Sequence, residues 1–358
     1  MIKLFNLDLH ISVIEDIKYI LKDLYKDKIE ITNWSLSGDS WIFSKRKENV
    51  EIINSNTWVF INDVMIKCFG AKYHSFLSQF DGFIVTHTPV FCLLFEIFNK
   101  PIILINTSRY EQPFSWSCNN NIDSWNNLNI RLKNMYDNKQ IIAISNNKGD
   151  QEYLKLGTGI DSILISNLCL YTKSSYNPIN ENYICYKKTD IIKESNNIKY
   201  KENVLSKYSW KDLYSYKGII HIPYEISTMS IFEQYSANVP LIFPSKELLK
   251  KLIIDNKIQF SSRYHLLHGD KCNYPNNLDL CLNNNTWIDF WIEKADYYDI
   301  NNMKYITYFD NIDDLENIIN NLNTKDISEK MKKHNFIRKT EIYIKWKKII
   351  DTTFLIIK

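Results

Sequence analysis

Runs of consecutive apolar residues recur along the first half of the chain, separated by amphipathic or polar stretches. Ile2 to Leu7 reads as a strand. Ser12-x-x-Glu15 has the form of a capping box, and it opens a helix that places Val13, Ile17, Ile20, Leu21 and Leu24 on one face. Further strands are expected at Lys28 to Trp34, Asn56 to Asn62, Phe83 to Thr86, Pro101 to Asn106 and Gln140 to Ser145. Thr88-Pro89 marks a helix start, with Thr as N-cap and Pro at the first helical position. A short helix over Asp150 to Leu156 ends at Gly157, and Gly157-Thr158-Gly159 reads as its C-terminal turn. Continuous apolar strands between helices are the mark of a parallel sheet covered on both faces.

The texture changes after this series. Residues 166–182 are polar, rich in Tyr and Asn, and read as an interdomain linker. A second alternating series follows, with strands at Tyr183 to Tyr186, Gly218 to Pro223, Pro240 to Pro244 and Lys304 to Phe309. Its helices are expected at Met229 to Asn238, Ser245 to Ile254, Thr286 to Tyr298 and Ile312 to Leu322, and Lys187 to Tyr208 has no clear pattern. A long closing helix covers Ser328 to Ile350. The expected organisation is therefore a first Rossmann-like domain over 1–165, the linker 166–182, a second Rossmann-like domain over 183–325, and a closing segment, 326–358, that returns to the first domain. The fold class is α/β, with two parallel-sheet domains facing a cleft, where ligands bind at the carboxyl ends of strands.

Composition narrows the class. The 358 residues exceed what one core usually organises, and 45% hydrophobic with 24% charged residues describes a globular chain. A net charge of +3, with no basic run interleaved with aromatics, argues against nucleic acid as a partner. The longest apolar region, residues 83–105, is broken by His87, Pro89, Glu96, Lys100 and Pro101, so no membrane span is expected, and no signal peptide is read at the start. Seven scattered cysteines without a C-x-x-C point to a reducing, cytoplasmic setting.

The most informative segment is HIPYEISTMSIFEQYSANVPLIFPS, His221 to Ser245. It reads as a strand, a Ser/Thr-rich turn, a helix carrying Glu233, small Ala237 and a second buried strand. A strand feeding a helix N-terminus presents free backbone N–H groups and a favourable dipole to an anion. Ser227, Thr228 and Ser230 add hydroxyls, and Glu233 could accept from both hydroxyls of a ribose. Ser230-x-x-Glu233 also has the spacing of a capping box, which would make Glu233 structural. The segment resembles the donor-binding unit of GT-B glycosyltransferases, as does the tail YITYFDNIDDL (Tyr305 to Leu315) with its long closing helix. The resemblance is one of overall pattern and identifies no subfamily. It departs from the common form in having no glycine in the turn. It implies diphosphate on the Ser227–Ser230 turn and ribose on Glu233, with Tyr224 among the donor-binding residues. Lys187 and Lys188, after the first strand of the second domain, would neutralise the leaving diphosphate without a metal. A solvated lysine run is the plainer alternative for them.

Strand ends of the first domain carry the remaining candidates. Asp8-Leu9-His10 follows the first strand. In inverting GT-B enzymes a base in this loop deprotonates the acceptor hydroxyl; an imidazole suits the role, and Asp8 could orient it. His87, Arg109 and Glu111 also follow strands, Glu111 as a reserve base and Arg109 as a phosphate or acceptor contact. No strict D-x-D, G-x-G-x-x-G after strand one, or P-loop is present. His265-x-x-His268 with Cys272 lacks a second ligand pair of finger spacing, so no metal or other cofactor is expected. With these candidates, the resemblance implies a metal-independent glycosyltransferase using a nucleotide-sugar donor and a glycan or other hydroxyl acceptor. The alternatives are a nucleotide-sugar epimerase on the same fold and a non-catalytic nucleotide-sugar or glycan binder.

Overall fold

The computed structural model describes residues 1–38, 43, 46–107, 110–114, 121–260 and 286–355. The chain separates into two compact units, one built from Met1–Asn167 with the segment from Ile342, the other from described residues between Leu168 and Glu341.

The first unit holds a six-stranded parallel sheet: β1 (Ile2–Asp8), β2 (Ile29–Ser35), β3 (Gly82–His87), β4 (Ile102–Asn106), β5 (Ile141–Ser145) and β6 (Ile163–Leu164), in the order β2-β1-β3-β4-β5-β6. Every residue of β3 and β4 is buried, as apolar strands covered on both faces require. Phe5 of β1 meets Trp34 edge-on at 5.1 Å, and Phe83 of β3 stacks on Phe95 at 4.4 Å. Among the described residues, four α-helices join the strands: α1 (Ile11–Tyr25), α2 (Asp63–Leu77), α3 (Ile122–Asp137) and α4 (Lys148–Thr158).

The second unit holds a five-stranded parallel sheet of β7 (Tyr183–Cys185), β8 (Ile198–Tyr200), β9 (Ile219–Ile220), β10 (Leu241–Pro244) and β11 (Thr307–Phe309), in the order β11-β10-β9-β7-β8. One face of its core gathers Tyr183, Ile198, Ile220, Ile242, Phe309 and Leu315. Its helices are α5 (Lys201–Val204), α6 (Trp210–Leu213), α7 (Met229–Ser236), α8 (Lys246–Ile254), α9 (Thr286–Glu293) and α10 (Leu315–Asn321). A last helix, α11 (Thr324–Ile350), starts in the second unit, where Asn335 Nδ2 donates to Tyr235 O at 2.7 Å. Its end belongs to the first unit. There Tyr343 Oη donates to Asp23 at 2.8 Å, and Tyr25 Oη donates to Asp351 at 2.7 Å.

Several local expectations give way to side-chain chemistry. Residues 56–62 form no strand. Asn54 Oδ1 accepts from the backbone of Asn56 and Thr57, Thr57 Oγ1 donates to Ile52 O, and the chain closes into a 3-10 turn over Trp58–Phe60. Such local bonds compete directly with a sheet ladder. Pro89 opens a 3-10 segment, Pro89–Leu94, and the Thr88 hydroxyl donates to Gln112 O at 2.7 Å instead of capping it. Ser12-x-x-Glu15 is no capping box either: α1 starts at Ile11 with His10 as N-cap, and Glu15 pairs with Lys18 at 3.0 Å. The unpatterned 187–208 stretch contributes β8 and α5.

Helix α4 continues through Gly157 and stops at Gly159, which adopts φ +71° and returns its N–H to Lys155 O at 2.8 Å. Gly157 has a different reason to be glycine. A Cβ there would lie 1.5 Å from Tyr110 Oη, so the helix surface must be bare where Tyr110 packs.

Candidate functional site

Parallel sheets bind ligands where two neighbouring strands send their connections in opposite directions. In the second unit this point lies between β7 and β9, because the chain passes from β7 to β8 on one side and to β9 on the other. A small pocket, partly open to solvent, occupies that position. Tyr186 and Lys187 enter it from the end of β7, His221 and Tyr224 from the end of β9, and Thr228 and Ser230 from the start of α7.

The start of α7 is capped by position rather than by a side chain. Thr228 is the N-cap residue and makes no side-chain cap bond, and its hydroxyl lies 3.1 Å from Ser230 Oγ. Ser230 is inside the helix, so Ser230 and Glu233 form no capping box. Lys187 Nζ lies 3.6 Å above the Tyr224 ring, and Lys201 Nζ lies 4.2 Å above Tyr186. Burial and the nearby Lys201 charge lower the Lys187 pKa. A lysine at the pocket wall with a second positive charge close by favours an anion there. Lys188 points elsewhere, 6.0 Å over the ring of Tyr200, and Ser227 does not line the pocket.

His221 was not singled out by its sequence context, yet it forms part of the pocket. It is 5% exposed and stacks on Phe243 at 4.8 Å and 11°. Its Nε2 donates to Gln234 Oε1 at 2.6 Å. Burial depresses its pKa to about 4, which leaves it a neutral imidazole at physiological pH. Glu233 lies one turn beyond Ser230. Its carboxylate accepts from Tyr171 Oη at 2.5 Å and from Trp210 Nε1 at 3.0 Å. Tyr171, Trp210, Tyr186 and His221 are spread over 50 positions of sequence, and only the tertiary fold gathers them.

In the first unit the corresponding point lies between β1 and β3, because β1 leads to β2 on one side and the chain then crosses to β3 on the other. Asp8 ends β1, His10 follows it, and His87 ends β3. The two imidazole rings meet at 4.4 Å with an interplanar angle of 63°. Trp58 packs edge-on against His87 at 5.5 Å. His87 is buried and holds φ +79°, a left-handed conformation uncommon for any residue but glycine. Burial, with His10 adding to it, keeps its pKa well below 6.5. His10 retains solvent-exposed surface, but the protein atoms crowded around its ring still lower its pKa.

Asp8 is fully buried, and this lifts its pKa to about 6 against the opposing pull of Ser35 and Asn33. Ser35 Oγ donates to Asp8 Oδ1 at 2.9 Å, and among the described residues no hydrogen bond joins Asp8 to His10. Glu111 is 1% exposed, in the segment tied to Thr88 through Gln112 O. Arg109, His265, His268 and Cys272 lie outside the described residues. Asp296, in the Trp-rich region after α9, is buried and accepts from Asn302 Nδ2 at 3.3 Å.

The fold and the two strand-end clusters define a two-unit α/β protein with a Rossmann-like parallel sheet in each unit. That is the sheet content implied by the resemblance to GT-B enzymes. No family model matches the chain, and no curated protein matches it. Among solved structures, the calicheamicin glycosyltransferase CalG4 is 8% identical over 97% of this chain and 98% of its own, with a TM-score of 0.40. The glycosyltransferase VinC, solved in complex with dTDP, is 9% identical over 96% of this chain and 100% of its own, at 0.41. The S. aureus protein MnaA, solved with UDP, is 12% identical over 68% of this chain and 79% of its own, at 0.41. Likenesses this distant carry no argument about what this chain binds or catalyses.

Proposed function

We propose that the chain is a nucleotide-sugar enzyme, and specifically a glycosyltransferase that moves a sugar from a nucleoside diphosphate onto an acceptor hydroxyl. The observation that carries this reading is the pocket at the β7/β9 switch point, where Lys187, Thr228, Ser230 and the first turn of α7 offer charge, hydroxyls and free N–H groups to a diphosphate. Glu233, one turn further, is the ribose-binding candidate.

In the first unit, His10 is the base candidate, because it keeps solvent access and a lowered pKa, so it stays unprotonated near neutral pH. The step balances without a metal. His10 takes the acceptor hydroxyl proton, the acceptor oxygen bonds to the anomeric carbon, and the bond from that carbon to the diphosphate oxygen breaks. The nucleoside diphosphate leaves with the electron pair, its charge met by Lys187.

The test is thermal stabilisation by a panel of UDP, dTDP, GDP and inorganic pyrophosphate, followed by turnover of the matching sugar donors. Stabilisation with transfer or donor hydrolysis supports the reading. Inversion at the sugar C2 without transfer makes the chain an epimerase, and stabilisation without turnover makes it a binder. No stabilisation by any nucleoside diphosphate sinks the nucleotide-sugar reading itself.

A further inference from the structure

Helix α11 buries one stripe of side chains and leaves a partly apolar stripe in solvent. Met331, His334, Arg338, Ile342, Trp346 and Ile349 recur at spacings of three and four, and all are buried. The opposite stripe has the same spacing: Lys333, Phe336, Thr340, Ile344 and Lys347, with Ile337 and Lys348 beside it. The solvent side of a helix ordinarily carries polar residues. Here Phe336 is 74% exposed, Ile344 64% and Ile337 54%. Single exposed apolar side chains need no explanation, whereas three along one stripe mark a contact surface.

Charge identifies the partner. Helix α11 holds nine basic and three acidic residues, a net charge of +6, in a chain whose total is +3. The rest of the chain is therefore net acidic, and positive charge is concentrated on this helix. Between Lys332 and Lys348 the sole acidic residue is Glu341. Lys347 pairs with Asp351 at 2.5 Å and Lys345 Nζ donates to Leu164 O at 3.0 Å, while Lys332, Lys333 and Lys348 are exposed beside the apolar stripe. All of these cations except the buried Arg338 are lysines. Lysine is depleted where proteins meet proteins, and arginine and aromatic residues are enriched there. At a bilayer surface lysine fits well, because its methylene stem lies along apolar groups while its ammonium reaches the phosphates. The same lysines exclude a span, and no described helix is long and apolar enough to cross a membrane.

We propose that this face of α11 docks on anionic lipid headgroups, with Phe336, Ile337 and Ile344 entering the interface and the lysines around them meeting phosphate. The helix lies along the membrane surface and does not cross it. The surface stands on α11 alone and does not depend on what the pockets bind.

The experiment is co-sedimentation of the whole chain with vesicles of phosphatidylcholine alone and of phosphatidylcholine mixed with phosphatidylserine, at low and high salt. Wild-type protein is expected to bind the anionic vesicles at low salt, and the neutral ones about tenfold more weakly or less. A lysine near such a surface contributes about fivefold, so Lys332→Gln/Lys333→Gln/Lys348→Gln is expected to weaken anionic binding by about 100-fold. Lys207→Gln/Lys211→Gln/Lys257→Gln removes the same charge from other elements and is expected to change binding by less than about threefold. Phe336→Gln/Ile337→Gln/Ile344→Gln is expected to weaken binding by about tenfold or more. All nine positions are exposed, so thermal melting of each variant should match the wild type.

Absence of binding to the anionic vesicles overturns the proposal. So does an equal loss in the two lysine variants, which would make the effect one of total charge, or wild-type affinity in the apolar variant. A dimer in analytical ultracentrifugation that the apolar variant dissociates also overturns it, since the face then belongs to a second copy of the chain.

Discussion

The imidazole of His10 meets that of His87 edge-on, with ring centroids 4.4 Å apart, at the point where β1 and β3 end side by side. The contact joins one ring with solvent access to one that is buried, and both pKa values are pushed down. Two protonated rings at this distance would repel, so the pair favours neutral imidazoles over the physiological range.

His10→Ala is expected to lower transfer by about 10²–10⁴-fold, the usual contribution of a general base, with nucleoside diphosphate affinity nearly unchanged. Because the His10 pKa is lowered, wild-type activity should persist below pH 6.5 and fall only as His10 finally takes up a proton. Rates and calorimetric affinities measured across pH check both statements. Near-normal transfer by His10→Ala with a collapse in Glu111→Ala would assign the base to Glu111.

Asp8 gives a pH dependence of stability with a defined sign. Its pKa is about 6 in the folded chain against 3.8 for the free group, so the folded state holds this proton more tightly. Its contribution to stability is therefore full below about pH 3.8 and is lost as pH rises through about 6. Asp8→Asn keeps the acceptor for Ser35 and removes the buried charge. It should stabilise the protein at pH 7 by about 1–3 kcal/mol, with the gain vanishing near pH 4. Paired denaturation curves at the two pH values decide it, and an unchanged or lower stability at pH 7 would contradict the burial argument.

Glu233→Ala should both weaken nucleoside diphosphate binding, by about 1–3 kcal/mol, and lower the melting temperature, because Tyr171 and Trp210 lose their shared acceptor. A lower melting temperature with unchanged nucleotide affinity would reduce Glu233 to a structural tie.

Gly157→Ala should destabilise the first unit by about 1–3 kcal/mol, since Tyr110 must move to admit the methyl group. Tyr110 is buried against Tyr153 and Trp125, so the shift cannot be absorbed at the surface. The neighbouring Glu111 would move with it. Chemical denaturation of the variant measures the cost, and wild-type stability would show that Tyr110 has another place to go.

The two-sheet architecture was legible because buried parallel strands such as Phe83–Thr86, Ile102–Asn106 and Ile141–Ser145 are continuous apolar runs, and few other structures use that pattern. Asn56 to Asn62 misled for the same reason: Trp58, Val59, Phe60 and Ile61 look like a strand, while Asn54 and Thr57 quietly bind the backbone into turns. β8 escaped notice because Ile198–Tyr200 is three residues long in a Lys/Asn-rich stretch. Among site residues, the strand-end position of His10, His87, Lys187 and Ser230 was readable from order along the chain. Tyr171 and Trp210 were not, since a hydrogen bond between residues 171 and 233 leaves no periodic trace. His221 stands inside the most informative segment, but the burial that keeps its imidazole neutral leaves no trace in the local sequence.

The first unit is interrupted in sequence, and this has a consequence for how the protein comes off the ribosome. Asp23 and Tyr25 find Tyr343 and Asp351 only after more than three hundred intervening residues have been made. The second unit, made from residues between Leu168 and Glu341, has its full set of strands before that happens. During synthesis the unit that starts first is thus completed last, and its α1 surface waits uncovered in the meantime. A fragment ending at Asn167 is, for the same reason, an unfinished first unit rather than an isolated domain.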